Sequence, residues 1–291
     1  MKKSLYITIL VSIVAFTTVQ AQTPYISLYS GYAVGVNKTS FLFNSSTVNN
    51  YDADSEIVKY SLQDYSLGQG LNLGGAIGYM VNENLGFEIG VNYTKSKSFE
   101  GLGIADVVST DDNYREYYES VAAVQATMTR ITPTIIYQFK RDRFSPYAKL
   151  GLAIGTGTIT TSETDRVEYT FGQMTEKYTD TYKEKYTGGV SFGINSTVGV
   201  KLPLSKTISV FGEASLTNLS FAPNESEVTE ATYEGEDYLN DMSTYEKNTL
   251  YKDEYTSNQD VDENAPSTAL KQPYAFSNLA FNIGVTFSLG K

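Results

Sequence analysis

The stretch Leu279–Leu289 alternates without a break. Leu279, Phe281, Ile283, Val285, Phe287 and Leu289 are large and apolar, and the residues between them, Ala280, Asn282, Gly284, Thr286 and Ser288, are small or polar. A period of two puts each set on its own face of a β-strand. The polar face offers no bulky side chain to fill a core. The apolar face therefore reads as the one that meets hydrocarbon, and the small polar face as the lining of a narrow lumen.

The same inverted pattern recurs over Ile26–Val36, Leu71–Tyr79, Leu85–Tyr93, Met128–Phe139, Tyr147–Thr156, Val190–Leu202 and Ile208–Leu216. It is clearest in Leu85–Tyr93, where Leu85, Phe87, Ile89, Val91 and Tyr93 alternate with Gly86, Glu88, Gly90 and Asn92. Two positions fit poorly. Pro133 has no N–H, which predicts a lost ladder hydrogen bond or a bulge. Phe211 falls on the polar face with Ser209, Glu213 and Ser215, where a large ring is a misfit.

The connections also alternate. Short turns are predicted at Val81–Asn84, Lys140–Pro146 and Pro203–Lys206, and long loops at Asn37–Gly68, Lys95 to about Val124, Gly157–Thr187 and Asn218–Tyr274. Within the third loop Val167, Tyr169 and Phe171 alternate, which extends that hairpin past the membrane. Loops of this length are unusual in a compact soluble domain. The predicted fold is all-β: an eight-stranded antiparallel transmembrane up-and-down β-barrel with short periplasmic turns and four long extracellular loops.

The first residues fit that destination. Met1-Lys2-Lys3, an apolar run over Leu5–Phe16 and Val19-Gln20-Ala21 read as a signal peptide, residues 1–21, cleaved after Ala21. The run is shorter than the roughly 20 apolar residues of a membrane helix. Residues 22–291 then form the barrel domain.

Composition narrows the chemistry. The chain of 291 residues has no Cys, no His and no Trp, but 24 Tyr and 23 Gly. Without Cys there is neither a disulfide nor a thiolate; without His the usual general base and the commonest metal ligand are missing. No catalytic, cofactor or metal site is predicted, and nothing points to nucleic acid. Four charges fall on lumen faces: Glu88, Arg130, Lys149 and Glu213. An eight-stranded lumen is only just wide enough for its own side chains, so these four are expected to pair as a structural core, with a gate or ion path as the alternative. Outside, the last loop carries 13 acids against three bases, a balance of −10 out of −11 for the chain. That is either a solvated, repelling surface or a docking face for a cationic partner or divalent ions. A calcium loop of the Asp-x-Asp-x-Asp-Gly type is absent. The loops are dense in Tyr, which gives large contact area at small entropic loss.

The leader, the inverted strands, the Gly-rich lumen faces and a final strand containing Val285-Thr286-Phe287 together resemble the small outer-membrane β-barrel family of Gram-negative bacteria, the OmpA-barrel and OmpX-like "porin family" group. The resemblance covers about Thr23–Leu289. It implies the outer membrane as location, membrane lipids as surroundings and a monomeric barrel. It leaves activity open, since this fold carries adhesins, anchors and enzymes alike. The expected function is non-enzymatic display of large acidic, Tyr-rich extracellular loops for surface interaction or complex assembly, with an unidentified protein as the candidate partner of those loops; the alternative is a small-solute or ion channel.

Overall fold

Side chains that alternate between small polar and branched or aromatic favour extended backbone, and most of this chain is strand. The computed structural model describes residues 23–37, 39–50, 57–108, 114–139, 143–256 and 261–289. The leader expected over residues 1–21 lies outside the described residues.

Eight strands form a ring: β1 (Thr23–Gly35), β2 (Gly70–Met80), β3 (Leu85–Ser96), β4 (Tyr114–Gln138), β5 (Ser145–Phe171), β6 (Ser191–Pro203), β7 (Ile208–Asn218) and β8 (Asn278–Ser288). Each pairs antiparallel with the next, and β8 pairs with β1, so the ladder of hydrogen bonds returns to its start. All eight stretches marked by alternation are found in it.

The faces point as the alternation requires. Phe281 is 56% and Ile283 73% exposed, and Ile77, Ile89, Leu150, Phe192 and Val198 also stand out from the wall. Asn72, Asn92, Thr94, Thr134, Thr197 and Asn282 are buried inside. Pro133 leaves a gap rather than a bulge. Pairing between β4 and β5 runs to Ile131↔Ile154 and resumes at Thr134↔Gly151 in the same register.

Two of the short connections are closed by side chains. Asn82 Oδ1 accepts from the N–H groups of Asn84 (2.9 Å) and Leu85 (2.8 Å), and Ser205 Oγ accepts from that of Ile208 (3.0 Å). These are local turns of the kind Asn and Ser favour.

The long connections differ from the expected loops. They are largely strand. Thr39–Asn50 and Ile57–Tyr65 form a hairpin, Phe99–Val108 pairs with the upper half of β4, and Met174–Thr187 returns along the upper half of β5. Glu225–Tyr233, Asn248–Lys252 and Ser267–Leu270 continue the sheet on the far side of Met174–Thr187. The last connection also holds one helical turn, α1 (Thr244–Lys247), whose capping box joins Ser243 and Glu246. Strands β4 and β5, with 25 and 27 residues, thus run on beyond the ring and carry the same sheet above it. The turn at its tip takes Gly172 at φ +60°, a conformation that favours glycine.

Candidate functional site

Two regions concentrate the polar chemistry: the interior of the ring and one face of the sheet above it.

Inside, alternation on β3, β5 and β7 aims Glu88, Lys149 and Glu213 at one another. Lys149 Nζ lies 2.9 Å from Glu88 Oε1 and 3.4 Å from Glu213 Oε2, so one ammonium serves two carboxylates. Two phenols complete the shell. Tyr25 donates to Glu88 Oε2 (3.0 Å) and Tyr147 to Glu213 Oε2 (2.8 Å), while Asn282 Nδ2 donates to Glu213 Oε1 (3.3 Å). Glycine makes room for those phenols. A Cβ on Gly78 would collide with the Tyr25 ring, and one on Gly199 with the Tyr147 ring.

Arg130, the fourth lumen charge, does not join this group. Its Nη2 donates to Thr94 Oγ1 (2.9 Å) and Asn72 Oδ1 (3.3 Å), both neutral. Asn72 Nδ2 in turn donates to Asn282 Oδ1 (2.8 Å), which links the two levels. A fifth interior charge escaped the sequence reading: Lys201, whose Nζ lies 4.9 Å from the centre of the Tyr25 ring. Tyr25, Tyr29 and Tyr147 were missed as well. Each stands in phase with small polar neighbours on its strand, so parity alone could have placed all four inside.

Phe211 is the keystone rather than a misfit. Its ring meets those of Tyr29 and Tyr147 edge-on, at 6.3 and 6.5 Å, within a buried cluster that includes Ile136. The opposite end of the interior is closed by a larger apolar cluster, including Leu67, Phe99, Met128, Leu219, Phe221 and Phe276. The lumen is thereby filled with side chains at both ends.

The sheet above has two unlike faces. On β4, β5 and Met174–Thr187, the register puts Glu116, Glu163, Asp165, Glu176, Asp180 and Glu184 on the face that rises from Ala126, Ile159 and Tyr186. Tyr114, Tyr118, Tyr169, Tyr178 and Tyr182 share that face with Tyr186. All five bases of these sheet segments, Arg115, Arg166, Lys177, Lys183 and Lys185, point the other way. There four of them form ion pairs: Arg115 with Asp106 (2.8 Å), Lys177 with Glu168 (2.7 Å), Lys183 with Glu230, and Arg166 with Glu119.

On the acidic face hydroxyls serve instead. Tyr186 donates to Glu184 (2.7 Å), Tyr114 to Glu116 (2.9 Å) and Ser120 to Glu163 (3.0 Å). Burial, with a hydrogen bond to Asp165, pushes the Tyr118 phenol up to about 12, so it stays a neutral donor at physiological pH. Asp165 Oδ1 is buried without a partner. Among the described residues no cluster of acids has the geometry to hold a metal ion.

An all-β ring, apolar outside and polar within, whose eight strands each pair with both neighbours, is the arrangement by which backbone groups satisfy one another in hydrocarbon; that defines an outer-membrane β-barrel protein. The model of the outer membrane protein beta-barrel domain family matches residues 7–238. The chain belongs to that family and resides in the outer membrane of a Gram-negative bacterium. No curated protein matches it. Among solved structures, it is similar to Ail, the attachment invasion locus protein of Yersinia pestis. The identity is 8%, the TM-score 0.32, and the match covers 93% of this chain and 100% of that one.

Proposed function

We propose that the ring is an eight-stranded transmembrane barrel whose short connections face the periplasm and whose tall sheet stands outside the cell. In this reading the protein is a non-enzymatic, monomeric display scaffold. Its acidic, Tyr-rich face docks a cationic segment of a partner protein. One observation carries the reading: above the ring, six acids and six tyrosines share a face from which all five bases of those sheet segments are excluded. A surface serving only as a solvated wall has no reason to sort its charges by side. Tyrosine adds flat contact area and hydroxyl donors, and the carboxylates supply steering and specificity toward Arg and Lys.

The filled interior, with Phe211 below and Phe221 and Phe276 above, supports display over conduction. The test is binding of the purified protein to Arg/Lys-rich and Asp/Glu-rich peptides, compared with a Glu163→Gln, Asp165→Asn, Glu176→Gln variant. Salt-sensitive capture of the basic peptides, lost in the variant, is the expected result. Equal capture by both proteins sinks the docking assignment. Stable single-channel steps in a planar bilayer would favour transport instead.

A further inference from the structure

Charge inside the ring does not balance. Among the described residues the interior acids are Glu88 and Glu213, and both are engaged by Lys149. Lys201 and Arg130 remain. Lys201 is only half-buried at the β6 end of the ring, within reach of solvent. Arg130 has no such relief. It is 4% exposed, and its partners, Asn72 and Thr94, carry no charge. Its Nε is buried with no acceptor at all. Other buried polar groups in this layer are served: Tyr29 donates to Asn92, and Asn92 donates to Thr132 (3.2 Å).

Directly past Arg130 the wall turns apolar. Met128 is 1% exposed, and it packs with Phe221 and Phe276 in the cluster that closes the interior. A guanidinium between that cluster and a neutral amide layer has, among the described residues, no carboxylate to balance it. An uncompensated buried charge is strongly destabilising, and a buried Arg donor seeks an acceptor of opposite sign.

We propose that the interior at Arg130 is a binding site for one small inorganic monovalent anion of the halide class, held on the guanidinium Nε. The anion completes the charge balance of the lumen at this level. Halide rather than a carboxylate metabolite is the fitting class, because the layer is crowded: a Cβ added at Gly155 would already press on Arg130 Cγ and Met128 Sδ, each at 2.9 Å. Because the site is enclosed, the ion is captured as the barrel closes. This inference concerns the lumen alone and stands whether or not the outer sheet docks a cationic partner.

The experiment refolds the full chain into detergent micelles separately in sodium chloride, sodium bromide and sodium gluconate at one ionic strength. The urea midpoint is expected to be higher in either halide than in gluconate, an anion too large for the lumen. Arg130→Met should lose that difference. Crystals grown in bromide should show anomalous density within hydrogen-bond distance of Arg130 Nε. Equal midpoints in all three salts, or a halide shift that persists in Arg130→Met, would overturn the site, as would bromide density only on the outer surface. Should Arg130→Met fail to refold, the bromide crystals of the unmodified chain decide alone.

Discussion

The lumen and the acidic face of the outer sheet handle the same residue types in opposite ways. In the lumen, Glu88 and Glu213 are both within salt-bridge distance of one lysine, and each accepts a phenol as well. On the sheet, Asp165 and Asp180 sit directly opposite each other with no base on their side. Water accounts for the difference. Inside a hydrocarbon-clad wall an ion stripped of its partner is destabilising by about 3–5 kcal/mol. On a strand pair outside the hydrocarbon, like charges face to face cost about 0.2–1 kcal/mol and are screened within about 10 Å. Charge placement is dictated by stability in the first region and left free for recognition in the second.

That contrast can be broken in order of effect. Lys149→Met leaves two carboxylates facing each other in the lumen and should destabilise the folded protein by about 3–5 kcal/mol, read as a lowered urea midpoint in micelles. An unchanged midpoint would mean that the lumen is wet enough to behave like the sheet. Glu88→Ala strands Tyr25 and half of the lysine's pairing, and should fall at the lower end of the same range, about 3 kcal/mol. Next comes packing. Gly199→Val drives a side chain into the Tyr147 ring and is expected to lose about 1–3 kcal/mol, checked by thermal scans of heat-modifiable gel mobility. Asp165→Asn should do the reverse on the sheet, stabilising by about 0.2–1 kcal/mol by removing a like-charge opposition. A loss of stability there would show that the acidic face is structurally tied after all.

The smallest effect is pH-dependent. The Arg115 guanidinium holds the Asp106 carboxyl below the usual aspartate range. A depressed folded pKa means that the pair's contribution is complete above the ordinary aspartate value and fades as pH falls through the depressed one. Hydrogen exchange in Phe99–Val108 should therefore quicken only in acid. Arg115→Gln should abolish that acid dependence.

The ring was legible because each of its strands has a greasy side and a wet side, so period-two alternation marks them. The outer sheet was not, for the same physical reason. In Met174–Thr187 neither face is buried, and over Thr39–Asn50 and Phe99–Val108 the sequence sustains no apolar-polar alternation. Those stretches read as loops although they pair along most of their length. Only Val167, Tyr169 and Phe171 kept enough contrast to betray the continuing hairpin. For the lumen, the four charges Glu88, Arg130, Lys149 and Glu213 could be placed from phase alone, and all four are inside. Their grouping could not. Strand tilt and stagger around the ring bring Lys149 to Glu88 and Glu213 and leave Arg130 a level away, and neither quantity is written in any single strand.

The uninterrupted length of Ser145–Phe171 has a consequence for reach. At about 3.3 Å per residue, 27 residues extend for about 90 Å, whereas the apolar band of such a wall is about 25 Å tall. On the proposed orientation, Phe171 and Met174 at the hairpin's summit are carried well clear of the lipid headgroups, up among the saccharide chains that coat the cell. They are 68% and 71% exposed. A contact made at that height is met by an approaching surface before it touches the bilayer, and the ladder beneath transmits the load straight into the wall.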